Sequence, residues 1–172
     1  TAVRRMIDHG FTASDGTFID QYFAMLVGLG LLLAIPPGYA SALWPAAGIA
    51  VAACAAGGIR LWPGVLLGAA LANLGVAGTP PLVALAIGAG NAAEAVVAAW
   101  LLQRAIGAAR RVDQAADVWK FAAIAFSAPL VAATSGVATL VLAGAVPLSQ
   151  FGPHWITWWL GDATGIVIVA PL

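Results

Sequence analysis

Charged residues are scarce in this chain. Seven basic and seven acidic residues make up 8% of its 172 residues, and the formal net charge is zero. Soluble domains carry about 25% charged residues, and a small soluble domain needs polar groups to cover its large relative surface. A soluble globular protein is therefore excluded. With no net positive charge to hold phosphates, the sequence also predicts no nucleic-acid partner.

Cysteine is almost absent as well. The single Cys54 excludes an internal disulfide framework and a cysteine-based zinc cluster. Disorder is excluded because 62% of the residues are hydrophobic. The sequence contains no pairing of a nucleophile with a base, so we expect neither an enzyme nor a cofactor-binding protein.

Long apolar runs are abundant, and a run of about 20 such residues crosses the hydrocarbon core as a helix. The sequence predicts an all-α, polytopic transmembrane bundle of about six spans, with residues 1–16 as an amphipathic or disordered cytoplasmic segment and residues 17–172 as the membrane domain. The predicted spans cover residues 17–35, 42–57, 61–77, 82–103, 119–143 and 155–172.

Basic residues indicate the orientation of these spans. With six spans, every Lys and Arg falls on one side of the membrane, and the positive-inside rule places that side and the N-terminus in the cytoplasm. Asp117, in the loop before the fifth span, is expected to be solvated. The basic residues are Arg4, Arg5, Arg60, Arg104, Arg110, Arg111 and Lys120.

Four polar residues fall inside the predicted spans: Asn73, Asn91, Glu94 and Asp162. Asn91 and Glu94 share a helical face, and both lie at a depth similar to that of Asp162. One hypothesis is a ligand pocket that opens to the outer side of the membrane, with the two carboxyls as acceptors. The alternative is hydrogen bonding between helices, which we favour for Asn73. His154 is interpreted as an interfacial residue.

Short motifs accompany the spans. Trp44-Pro45 and Trp62-Pro63 each predict a helix start, with proline in the first turn and tryptophan at the membrane interface. Two steps of small residues four apart predict close helix packing. They are Gly64 with Gly68, and Gly161 with Gly165.

Several ordered motifs resemble the first type of membrane-associated sensor domain, the MASE family. The resemblance covers about residues 31–172. It is carried by residues 42–50 with the sequence ALWPAAGIA, 58–64 with GIRLWPG followed by Ala72-Asn73, 90–95 with GNAAEA, and 158–165 with WWLGDATG. The motif residues proper are Trp44, Pro45, Gly48, Trp62, Pro63, Gly64, Trp158, Trp159 and Gly161.

The resemblance implies an integral sensory input domain of the bacterial inner membrane, with a cytoplasmic histidine kinase or diguanylate cyclase as its usual output partner. Family members have about eight spans, so we expect this chain to be truncated at its C-terminus. The ligand is an unknown small molecule. The implied functional residues are Trp44, Pro45, Asn73, Asn91, Glu94 and Asp162.

Two other interpretations stay open. The chain could be an accessory or structural subunit of a larger respiratory or photosynthetic membrane complex, in which other membrane subunits are its partners. It could also be the substrate-binding subunit of a small-molecule importer, which matches the span count and topology. In every case the lipid bilayer is its immediate surrounding.

Overall fold

The computed structural model describes residues 34–35, 40–75, 79–107 and 114–171. Helices dominate these residues: α1 (Pro45–Gly57), α2 (Trp62–Leu74), α3 (Pro81–Ala105), α4 (Ala115–Ser127), α5 (Pro129–Leu142) and α6 (Phe151–Val169). Short 3-10 turns precede α2 and α6, at Ile59–Leu61 and Leu148–Gln150. The all-α prediction is therefore confirmed for the described residues, apart from one two-residue strand pair.

That strand pair corrects the end of the first predicted span. Ala34–Ile35 (β1) pairs antiparallel with Ala40–Ser41 (β2), whereas the sequence predicted a helix through Ile35. Ile35 precedes Pro36, and a residue before proline is pushed out of the helical region towards extended backbone. The rest of that predicted span and the segment 1–16 lie outside the described residues.

The helix boundaries follow from prolines and glycines. Proline occupies the first turn of α1, α2, α3 and α5, where its missing N–H has no helical partner to lose. Gly58 follows α1 with φ +96°, a conformation that side-chain-bearing residues rarely adopt. Only Ala128 separates α4 from α5, so these two helices continue one another.

Helix α3 occupies the centre of the described bundle. It packs against α1, α2, α4 and α5, while α6 packs against α1, α4 and α5. One apolar core joins α1, α3, α4 and α6 around Val51, Cys54 and Ile166. A second core joins α3, α5 and α6 around Ile87 and Val137.

Two stretches of the described residues are long and apolar enough to cross a membrane. They are Pro81–Ala105 and Ala115–Leu142, while the apolar stretches Pro45–Gly57 and Ile59–Leu74 are shorter. A 13-residue helix such as α1 rises only about 20 Å against a hydrocarbon core of about 30 Å. Helix α6 has 19 residues, but Pro153, His154 and Asp162 make it more polar. The count of about six spans therefore stays a prediction.

Asp117 corrects a prediction about the loop before α4. It lies in the first turn of that helix and is only 1% exposed, not solvated as expected. One of its oxygens binds the Lys120 ammonium at 2.9 Å, three residues along the same helix. The acid lies near the positive end of the helix dipole, where a negative charge is favoured. Asp113, Arg110 and Arg111 lie outside the described residues.

Candidate functional site

Helices α1 and α6 meet along a seam where their backbones touch. We define this seam by Trp44 and Gly48 on one side and Gly161 and Gly165 on the other. A Cβ at Gly48 would overlap the carbonyl oxygen of Gly165, and a Cβ at Gly165 would overlap that of Trp44. Likewise, a Cβ at Gly161 would overlap the carbonyl oxygen of Ser41. These glycines permit the close approach typical of small-residue helix interfaces.

Hydrogen bonds fix the position of the start of α1 relative to α6. The Trp44 amide donates to the Gly161 carbonyl at 3.0 Å, one residue before α1 begins. The Thr164 hydroxyl lies 3.0 Å from the Ala42 carbonyl oxygen and 2.8 Å from the Leu160 carbonyl oxygen of its own helix, so that its one hydrogen is shared between the seam and α6. Two motifs far apart in the sequence, Ala42–Gly48 and Trp158–Gly165, therefore form one structural unit.

The tryptophans of α6 attach this helix to α4 and α5. Trp158 packs on Gly136, where an added Cβ would lie 2.7 Å from the ring. The Trp159 indole donates to the Phe126 carbonyl at 2.7 Å. The Trp155 indole donates to the Thr134 hydroxyl at 3.0 Å and stacks on Trp159. α6 is thus fixed on one side by aromatic contacts and on the other by the seam.

Two carboxyl groups lie together between α3 and α6. Glu94 is 2% exposed and Asp162 is 0% exposed. The carboxyls are close enough to interact electrostatically. The Asp162 carboxyl lies close to the Glu94 carboxyl and to the Trp158 indole, but no well-formed hydrogen bond from a described residue reaches any of the four carboxyl oxygens. Buried acids are costly unless they are paired or bonded. We call Glu94 and Asp162 the acid pair.

A groove on the surface leads to the acid pair. Helices α1, α2 and α3 enclose a cavity of about 400 Å³, which reaches Glu94 and Asn91 on α3. Its walls are otherwise apolar and small, apart from Trp44, Ile49, Leu61 and Val65. We call this cavity the groove. The remaining lining residues are Ala46, Ala47, Ala50, Ala53, Gly64, Gly68, Ala69, Ala72 and Ala95.

Glycines in the groove behave differently from those in the seam. A Cβ at Gly64 or Gly68 would meet no described atom within 4 Å. The sequence predicted that this pair serves close helix packing; no described helix packs against it, and the prediction stays a prediction. The α2 contact with α3 lies on another face, where a Cβ at Gly88 would come within 2.6 Å of the Leu66 carbonyl oxygen.

The two asparagines are placed differently relative to the acid pair. The amide nitrogen of Asn91 donates to the Ile87 carbonyl at 3.0 Å, and Asn91 lines the groove beside Glu94. The amide nitrogen of Asn73 donates to the Ala69 carbonyl at 2.9 Å, and Asn73 is not among the groove-lining residues. The structure therefore brings together Asn91, Glu94 and Asp162. Trp62 instead lines a smaller apolar cavity between α2 and α3, and Pro63 starts α2.

His154 is a polar residue that the sequence analysis undervalued. It is 4% exposed, and its Nδ1 lies 3.0 Å from the Gln150 carbonyl oxygen. Its position at the membrane interface stays a prediction. Its Nε2 has no hydrogen-bond partner among the described groups. His154, Trp158 and Asp162 repeat every four residues, which is the spacing of one helical face. The sequence shows this four-residue spacing, but it does not show that this face of α6 is buried.

The acid pair and the groove define the chemistry of the site. The pair places carboxyl oxygens at one end of an otherwise apolar cavity. Among the described residues, no three His, Cys, Asp or Glu side chains come together in a way that could hold a metal ion.

Comparison with known proteins gives one match. The model of the MASE1 family matches residues 18–172. This range includes the seam, the groove and the acid pair. No curated protein matches the chain. No solved structure matches it either.

Proposed function

Since the chain belongs to the MASE1 family of membrane-associated sensor domains, we propose that it is a sensory input module whose groove receives a small ligand. The observation that carries this proposal is the acid pair, which is buried without a well-formed hydrogen bond and of which Glu94 lines the groove. A ligand with matching donors satisfies the Glu94 oxygens, and the cost of burying them is then recovered as binding energy.

Helix α1 transmits the signal in this proposal. One face of α1 forms a wall of the groove, and another face forms the seam with α6. An occupant of the groove pushes on α1, and the rigid seam passes the displacement to α6. Such a ligand acts only if it binds two helix arrangements with different affinity.

The proposal extends to topology and localisation. We place the chain in the bacterial inner membrane as a multi-pass protein with a cytoplasmic N-terminus. Arg60 lies between α1 and α2, while Arg104 and Lys120 flank the connection between α3 and α4. The connections between α2 and α3, and between α5 and α6, contain no Lys or Arg. This alternation supports the orientation through the positive-inside rule. Following the family resemblance, we further propose that a cytoplasmic kinase or cyclase reads the movement of α6.

The proposal is tested by filling the groove with a side chain in place of a ligand and measuring whether α1 moves. In lipid nanodiscs, spin labels at the exposed positions Ala56 and Leu71, in a Cys54→Ala background, report the distance between α1 and α2. Gly68→Leu places a side chain in the groove. We expect a shift of about 1–2 Å, the scale of helix movements in signalling transitions. Gly152→Leu is the matched control, because Gly152 also has no described neighbour within 4 Å and lies outside the groove.

Two results would contradict the proposal. The first is an unchanged α1–α2 distance in Gly68→Leu, because α1 then does not respond to groove occupancy. The second is a tight complex with other membrane subunits after mild extraction from the native membrane, combined with an inert groove. That combination would favour an accessory subunit.

A further inference from the structure

The acid pair lacks a compensating positive charge among the described residues. Carboxyls inside membrane proteins usually pair with a cation or with hydrogen-bond donors. The described basic residues are engaged elsewhere or lie apart from the pair. Lys120 binds Asp117, the Arg104 guanidinium lies 5.4 Å from the Trp100 ring centroid, and Arg60 lies in the turn before α2.

The shape of the groove restricts what can supply this charge. The cavity of about 400 Å³ has apolar walls except at Asn91 and Glu94. A bare inorganic cation would leave most of this apolar volume unfilled. Calcium also takes 6–8 oxygen ligands and magnesium requires near-octahedral geometry, while the described chain offers two carboxyls and one amide oxygen. An anion would face two carboxyl groups with no basic side chain beside them among the described residues.

Polar and apolar groups are segregated along the groove. Glu94 and Asn91 lie together on α3, and the Asn91 amide nitrogen is already bonded to Ile87. The Asn91 amide oxygen and the Glu94 carboxyl are then two acceptors on one helical face. Trp44, Leu61 and Val65 line the apolar part. This arrangement complements a molecule with an apolar body and a head group that donates several hydrogen bonds.

From this geometry we infer that the groove binds a small organic cation, a protonated amine with an apolar body. Its ammonium donates to Glu94 and Asn91, with Asp162 behind Glu94 adding negative charge, and its apolar body lies between α1 and α2. The Trp44 ring attracts the cation through its π face. This inference rests on the proposed function, because it names the ligand class of the same groove.

The experiment compares ligands that differ only in charge. The chain is placed in nanodiscs of phosphatidylcholine, which has no net charge to attract amines. The probes are 2-phenylethylammonium, cyclohexylammonium and butylammonium, each paired with the alcohol of the same skeleton. Binding is followed by the quenching of tryptophan fluorescence and by the unfolding temperature.

We expect at least one amine to bind about ten-fold more tightly than its alcohol. Glu94→Gln should reduce that preference to nearly one, because it removes the charge and keeps the side-chain shape. Asp162→Asn should reduce it less, because Asp162 is not among the groove-lining residues. Asn73→Ala is the matched polar control and should leave the preference unchanged, since Asn73 lies outside the groove.

The other possible results distinguish the failure of the cation inference from the failure of the proposed function. Equal binding of amines and alcohols, lost in Gly68→Leu, would overturn the cation inference and support the groove as a ligand site. Sodium-dependent stabilisation that Glu94→Gln abolishes would overturn the organic character of the ligand. If no amine binds but Gly68→Leu still moves α1, the cation inference fails alone. If no amine binds and Gly68→Leu moves nothing, both proposals fail.

Discussion

Helix α1 has two glycine-lined sides that differ in what faces them. On the seam, Gly48 of α1 meets Gly165 of α6 with no room for a Cβ on either residue. On the groove, Gly64 and Gly68 of α2 face α1 across open space. The same residue type at the same four-residue spacing therefore makes a closed interface in one place and a cavity in the other.

The difference shows what decides whether small residues close an interface. On the seam, the Trp44 backbone amide and the Thr164 side-chain hydroxyl donate hydrogen bonds that hold the helices together. In the groove, no hydrogen bond joins α1 to α2 among the described residues. Small side chains permit close approach, and specific bonds must then hold it. Helix α1 is held on the side of the seam and free on the side of the groove. This arrangement suits a helix that moves when the groove is filled.

The largest expected effect comes from adding a methyl group to the seam, where there is no room for it. Gly165→Ala should lower the free energy of unfolding by about 2 kcal/mol or more, because the added Cβ overlaps the Trp44 carbonyl oxygen and forces the backbones apart. Gly152→Ala in the same helix is the control and should cost nothing. Unfolding of the chain in nanodiscs, followed by tryptophan fluorescence, measures both. Equal stability of the two variants would mean that the seam is not tightly packed.

A smaller effect of opposite sign is expected at the acid pair. Glu94→Gln should raise the free energy of unfolding by about 1 kcal/mol, because a buried carboxyl beside a second carboxyl is replaced by an amide that can donate to Asp162. The same unfolding assay measures it. Asp162→Asn should behave similarly, since it supplies donors to Glu94. Destabilisation by both would show that the pair stabilises the helix packing and would weaken the proposed binding role.

Removing one seam hydrogen bond should have a lesser effect. Thr164→Val deletes the bond to the Ala42 carbonyl and should cost about 0.6 kcal/mol, the average for bonds between membrane helices. Thr139→Val is the control, because the Thr139 hydroxyl bonds only to Ser135 in its own helix. A second pair of spin labels, one on α1 and one on α6, should report a longer distance in Thr164→Val and an unchanged distance in the control. A larger loss in Thr139→Val would contradict the special role of the seam.

The smallest effect is expected in the groove. Gly68→Ala should raise the free energy of unfolding by up to about 0.5 kcal/mol, because alanine is a better helix former and its Cβ meets open space. Thermal unfolding checks this against the unchanged chain. A loss of stability would show that another part of the protein covers the groove.

Much of the architecture was predictable from apolar runs and prolines. Five of the six predicted spans contain a described helix. The predicted span 82–103 corresponds to α3 at Pro81–Ala105, and 119–143 corresponds to α4 together with α5. Prediction failed where a local rule competed with hydrophobicity. Ile35 before proline is extended, and Asp117 is buried at a helix N-terminus rather than solvated.

The candidate site was only partly predictable. The cost of an acid inside a membrane singled out Glu94 and Asp162 as residues, and helical spacing joined Asn91 to Glu94. Neither argument could separate Asn73, which bonds to its own helix, from the groove-lining residues. The burial of His154 could not be predicted from the sequence, because it depends on α6 packing against other helices.

The sequence by itself determined the membrane class, the family motifs and most helix positions, because each depends on local composition and spacing. The tertiary structure decided which glycines touch a neighbouring backbone, which face empty space and which two acids meet. These features depend on how helices distant in the chain pack together. Gly68 and Gly165 are the same residue in apolar helices, and only the packing of α1 against α6 rather than α2 makes one of them indispensable.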